Sequence, residues 1–165
     1  MKTGAYLGID PGKHGAAALW TAENEVCFHD FSNLELAAKI LRRWSVVFEI
    51  HLAALEGVRS LPHDGHVGAF NFGQNVGQWR AVLVCLEIPF IEPTPSAWKR
   101  TIPPLPIDDK KRKAIAWCIE LFPGAERHLK RLKDADRAEA LLLARYARDW
   151  DRLKLNRGQG MEVTA

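Results

Sequence analysis

The sequence predicts an α/β fold: a five-stranded mixed sheet, three strands in an antiparallel meander and two more running parallel, flanked by helices on both faces. Three observations predict it. Apolar runs at 5–9, 15–20 and 26–31 are separated only by turns, the pattern of a meander. From residue 33 onward, segments of helical period alternate with short apolar runs, which is how parallel strands are joined. The 165 residues, 47% hydrophobic and 26% charged, fit one domain with a real core.

Each element has a local reason. The first strand is stopped by Asp10-Pro11-Gly12, residues that favour a tight connection to the second. Asn33 is a good N-cap for a helix over 34–44, where Leu34, Ala37, Ala38 and Leu41 recur on one face. A fourth strand at 51–55 ends at Glu56-Gly57. Residues 58–75, VRSLPHDGHVGAFNFGQN, read as a Gly-rich loop leading into a helix over 78–86. Residues 89–92 read as the fifth strand, and the proline-rich segment 94–107 as a loop with one helical turn near Trp98. Asp108 or Asp109 opens a helix over 110–121, closed by Pro123-Gly124. The last helix is expected over 137–150. Residues 1–152 then form a single domain and 153–165 a polar, flexible tail.

Composition narrows the function classes. Lys and Arg number 23 against 20 Asp and Glu, and the pI near 8.8 permits a polyanionic partner. Cys27, Cys85 and Cys118 are far apart and have no His or Cys at ligand spacing, as expected of reduced core thiols. No apolar run approaches the roughly 18 residues of a membrane span, and a turn arrives before a signal-peptide core could form. A cytoplasmic, non-secreted protein is expected.

The acids carry the chemistry. Asp10 and Glu56 each end an apolar strand. If those strands are parallel neighbours, about 5 Å apart, the two carboxylates sit side by side at the edge where such sheets bind ligands. Near the C-terminal end, KDADRAEALLLA places Asp134, Asp136 and Glu139 just before a run of leucines. Asp136-Arg137-Ala138-Glu139 also reads as a capping box, which needs no ligand. The helix that follows is apolar from its start, however, and must pack on the sheet, which brings its first turn to the sheet's edge. A cluster of carboxylates repels itself unless a cation sits among them. Oxygen ligands without His or Cys favour Mg²⁺, with Mn²⁺ as a substitute, over zinc. Such ions activate water against phosphodiesters.

The surroundings suit an anionic substrate. Residues 110–133 contain eight basic side chains, among them Lys110, Lys111 and Lys133, against two acidic ones. Lys13, His14, Arg59, His63, His66 and Lys99, from other loops, would extend a phosphate-binding surface. Phe70 and Phe72 are either core residues or wedges against unstacked bases.

LGIDPGKHGAAAL, AALEGV, PSAWK and KDADRAEALLLA occur here in the order and spacing of the RuvC-like Holliday junction resolvases. Over about residues 5–147 the sequence resembles that family, in particular its compact phage-type and chloroplast-type branch. The resemblance implies an RNase H-like fold, a homodimer, and a Mg²⁺ site of four acids that nicks opposing strands of a four-way DNA junction. It also implies 5′-phosphate and 3′-hydroxyl ends. Asp10 and Glu56 carry over directly. The bacterial pattern, D-x-x-D, maps the remaining pair onto Asp136 and Glu139. The chloroplast-like pattern, K-D-x-x-R-A-E-A, maps it onto Asp134 and Glu139. Both patterns are satisfied, so the third acid stays open between Asp134 and Asp136. By the same resemblance Lys13 and Lys99 hold phosphates, the loop from Arg59 to Phe72 enters the junction, and the dimer forms around 76–83 with Trp79. Two other readings stand beside this one: a nuclease of the same fold acting on RNA or general branched DNA, and a nucleic-acid-binding module in which the acids are only caps.

Overall fold

The computed structural model describes residues 1–12, 14–57 and 65–159. Strands β1 (Thr3–Asp10), β2 (Ala16–Thr21) and β3 (Val26–Asp30) form the antiparallel meander. Helix α1 (Leu34–Val47), capped by the Asn33 side chain, crosses to β4 (Phe48–Leu55), which runs parallel to β1. Helix α2 (His66–Cys85) leads to the short β5 (Phe90–Ile91), parallel to β4. The sheet order is β3-β2-β1-β4-β5. Then come α3 (Pro95–Lys99), α4 (Lys110–Leu121), two short 3₁₀ turns (Pro123–His128 and Leu132–Asp134) and the long α5 (Ala135–Gln159).

The sheet has a core on each face, and strand alternation sorts the residues between them. Ala5, Leu7 and Ile9 of β1, Ala17 and Leu19 of β2, and Ala53 and Leu55 of β4 pack under α1 and α2. Ala16, Ala18 and Trp20 of β2 and Ala54 of β4 pack under α4 and α5. The middle of α5 is buried through Ala140, Leu141, Leu142, Leu143 and Ala144, as the apolar run requires. At its far end, Tyr6 donates its hydroxyl proton to Asp151 (3.0 Å) and the Arg148 guanidinium lies 3.9 Å over the Trp20 ring. Among the described residues, no helix is long and apolar enough to cross a membrane.

Three expectations are corrected. Helix α2 begins at His66, so Phe70 and Phe72 are helical rather than part of a loop. Its glycines misled the reading: a Cβ at Gly68, Gly73 or Gly77 would meet nothing within 4 Å, so they lie on the outer surface and leave the inward row unbroken. Helix α5 starts at Ala135 and continues to Gln159, so the expected tail is helical to that point. Cys118 is buried, donating its thiol to the Ala138 carbonyl, and Cys27 is half-buried, but Cys85 is exposed rather than in the core.

Candidate active site at the end of the parallel strands

Asp10 and Glu56 are brought together by the β1–β4 pairing. Ile9 lies opposite Leu55, and the Glu56 amide donates to the Ile9 carbonyl at 3.0 Å. The alternation that sends Ile9 and Leu55 under α1 and α2 turns the next residue of each strand to the other face, toward α5. The β1–β2 connection is as tight as Asp-Pro-Gly suggests. A Cβ on Gly15 would stand 2.0 Å from the Asp10 carbonyl oxygen, so that close return is open only to glycine.

Helix α5 brings the other acids. A Cβ on Gly8 would meet the Ala140 carbonyl oxygen at 1.9 Å and the Ala144 nitrogen at 2.4 Å, so α5 lies with its backbone against β1. Asp136 is one turn before Ala140 and falls on the same row; Glu139 lies beside it, one turn before Leu143. With Gly8 and Asp10 on one face of β1, the first turn of α5 overhangs the end of the strand.

Asp134 is held elsewhere. It ends the 3₁₀ turn before α5, is 3% exposed, and accepts from the Arg131 backbone amide and guanidinium (both 2.8 Å). Arg137 stands 3.9 Å away and is itself bound to Asp30 (2.5 and 2.6 Å). The Arg131 guanidinium holds the Asp134 carboxyl below the usual range. The reciprocal cap at this helix start is therefore Arg131 with Asp134, whereas Asp136, expected as the N-cap, is already helical.

Helix α3 supplies a residue that the sequence reading did not assign. Trp98 is fully buried and donates its indole N–H to Glu56 Oε1 at 2.9 Å. The next residue, Lys99, pairs with Glu139 Oε1 at 3.2 Å while its ammonium lies over the Trp98 ring. The signal was present, since a tryptophan beside lysine in PSAWK combines an apolar body with a polar tip that seeks an acceptor when buried. Lys99, expected on phosphates, is engaged by a carboxylate.

Electrostatically the four acids form one group. Burial pushes the Asp10 carboxyl well above its ordinary range, and the negative charges of Glu139, Glu56 and Asp136 push it further, with Lys99 opposing them. Burial also raises Glu56, opposed by the Trp98 hydrogen bond. Burial raises Asp136, which Lys111 and His14 partly offset. Among the described residues, no three acids, histidines or cysteines are closed into a ligand shell: Glu56 is turned to Trp98 and Glu139 to Lys99. The donor set still fits a hard divalent cation, being all carboxylate oxygen with more negative charge than its described neighbours cancel.

The basic residues divide. Lys111 and Lys133 line a groove with Asp136 and His14, and Lys110 is exposed at the start of α4. Lys13, Arg59 and His63 lie outside the described residues. His66 is the first residue of α2. Phe70 is 71% exposed, whereas Phe72 packs partly against the core. Trp79 is 1% exposed, packed against Phe31 at 5.3 Å between ring centroids, so it is core and cannot form a dimer surface.

A meander followed by two parallel strands, with the last helix laid on β1, defines the RNase H-like architecture. Among solved structures, the chain is similar to Thermus thermophilus RuvC in complex with a Holliday junction substrate, with TM-score 0.57 at 14% identity over 87% of this chain and 90% of that one. Another Thermus thermophilus RuvC structure gives 0.52 at 18% identity, covering 88% and 95%. The yeast mitochondrial Holliday junction resolvase gives 0.52 at 15%, covering 87% and 77%. The fold is thus that of the RuvC-like resolvases. No protein-family model matches the chain, and no curated protein matches it in sequence.

Proposed function

We propose that the chain is a divalent-metal-dependent endonuclease that resolves four-way DNA junctions. The observation that carries this reading is the convergence of Asp10, Glu56, Asp136 and Glu139 from three separate elements on one sheet edge. Capping explains none of Asp10, Glu56 or Glu139, and Lys99 offsets only part of the charge they gather. The likeness to a RuvC bound to a Holliday junction supports the substrate class.

In this reading those four acids would hold the ion, and Asp134 serves the fold. When bound, Mg²⁺ or Mn²⁺ supplies an activated water and offsets charge on the leaving oxygen of a phosphodiester. Trp98 fixes the orientation of Glu56, and the adjacent Lys99 steadies Glu139. His14, Lys111 and Lys133 hold the phosphate backbone beside Asp136, and Lys110 extends that contact along α4. Hydrolysis is in line, without a covalent protein intermediate, and leaves a 5′-phosphate and a 3′-hydroxyl. Exposed Phe70, at the start of α2, would press on the open centre of a junction. A homodimer would present two sites to opposing strands. Its contact on α2 would use outward residues such as Gly77 and Val84, since Val76, Trp79 and Leu83 are buried.

The test is cleavage of a synthetic four-way junction in Mg²⁺ with mapped cut sites, for native protein and Asp10→Asn. Paired symmetric nicks that vanish in the variant support the reading. Nicks that persist in the variant reject the carboxylate site. Equal cutting of duplex or structured RNA replaces the substrate, and binding without cutting in either Mg²⁺ or Mn²⁺ leaves a binding module.

A further inference from the structure

The groove that holds Asp136, Lys111 and Lys133 is also lined by His14 and Phe31, and both of these line a second groove, against α2. The second groove differs in kind. Its described lining has no Asp, Glu, Lys or Arg; it is dominated by the carboxamides of Asn71, Gln74, Asn75 and Gln78, with Phe72 among them. Asn71, Asn75 and Gln78 stand at i, i+4 and i+7 and so share a face of α2, with Gln74 one step to the side. An uncharged surface offers little to a phosphate. Carboxamides, each with two donors and an acceptor, match the edges of bases, and aromatic rings give bases a flat apolar contact.

We propose that this second groove reads base sequence: it receives the bases next to the phosphate held at the carboxylates, and Asn71, Gln74 and Gln78 set where a strand is cut. This rests on the nuclease reading above. It goes beyond that reading by assigning selectivity to a neutral surface distinct from the acids and the lysines. Sharing His14 and Phe31, the two grooves adjoin, the one charged where the backbone would lie and the other free of acidic and lysine or arginine side chains among its described lining where the bases would lie.

The experiment uses the full chain and a pool of four-way junctions randomised around the crossover. Cleavage products in Mg²⁺ and, separately, junctions retained in Ca²⁺ are sequenced for the native protein and for the triple variant Asn71→Ala, Gln74→Ala, Gln78→Ala. Asn71 and Gln74 are exposed and Gln78 half-buried, and circular dichroism is to check that the variant is folded. The expected result is a native preference of roughly 5- to 100-fold between favoured and disfavoured bases, the range of one or two amide–base contacts. The variant should flatten it at least about fivefold, with mean junction affinity within about threefold of native. A native protein that cuts without preference, or a variant with the native preference intact, overturns the inference. If the native protein cuts nothing but the retained junctions show a preference that the variant loses, the nuclease reading fails and base reading survives. If no preference appears in either pool, base reading fails as well.

Discussion

Trp98 donates its indole N–H to Glu56 at 2.9 Å, and both side chains are buried. The bond favours the charged carboxylate against the burial that opposes it. In Trp98→Phe the ring is largely kept and the donor is lost, so the Glu56 carboxyl should rise further above its usual range. We expect stability to fall by about 1–3 kcal/mol. The acid limb of the pH–rate profile for junction cleavage should move to higher pH, as measured by initial rates at saturating Mg²⁺.

Asp10 should trade stability for function. A carboxyl whose folded pKa is raised binds protons more tightly in the folded state, so without metal the fold loses stability as pH climbs from the unfolded value, near 4, to the folded one. Asp10→Asn removes that penalty. The variant should gain about 1–2 kcal/mol at pH 7 in EDTA while losing cleavage. Mg²⁺ should raise the native melting temperature more than the variant's, which thermal melts with and without the ion will show.

Asp134 and Asp136 should separate cleanly. The Asp134 carboxyl is held low by Arg131, so its contribution is present above about pH 4 and fades as pH falls through the folded value. Asp134→Asn should therefore cost about 1–3 kcal/mol in urea titration and keep cleavage wherever it is folded. Asp136→Asn should keep or gain stability and lose cleavage. The opposite pattern would make Asp134 the ligand.

Gly8→Ala tests the docking of α5. Its methyl group would collide with backbone atoms of Ala140 and Ala144, neither of which can rotate away. A loss of about 3 kcal/mol is expected by denaturant titration, together with loss of cleavage as Asp136 and Glu139 move off Asp10.

Lys111→Gln should leave the fold intact and weaken junction binding with little change in cut sites. Loss of one phosphate contact would reduce the slope of log affinity against log salt by about 0.9, measurable by fluorescence anisotropy from low to moderate salt.

Much of this could be read from residue order. Two apolar strands, each ended by an acid, already place Asp10 and Glu56 side by side, because that inference needs only parallel pairing. The choice between Asp134 and Asp136 was not legible. It depends on which arginine captures a carboxylate: Arg131 takes Asp134, whereas Arg137 is bound by Asp30 on a distant strand. Trp98 was passed over because its helix, α3, is a single short turn in a proline-rich segment where no period marks it. The start of α2 was hidden by surface glycines, although Phe72, Val76, Trp79 and Leu83 repeat at helical spacing and face inward.

The close seat of α5 on Gly8 also orders events in time. The four carboxylates come from the first strand, the fourth strand and the last helix, so a growing polypeptide that has not yet made residue 135 carries only two of them. A sheet without α5 leaves those two unaccompanied, and the centre is complete only with the final helix seated on β1. A fragment ending before α5 should accordingly be inert, and a separately supplied α5 segment that restored the centre would show that docking, rather than chain continuity, completes it.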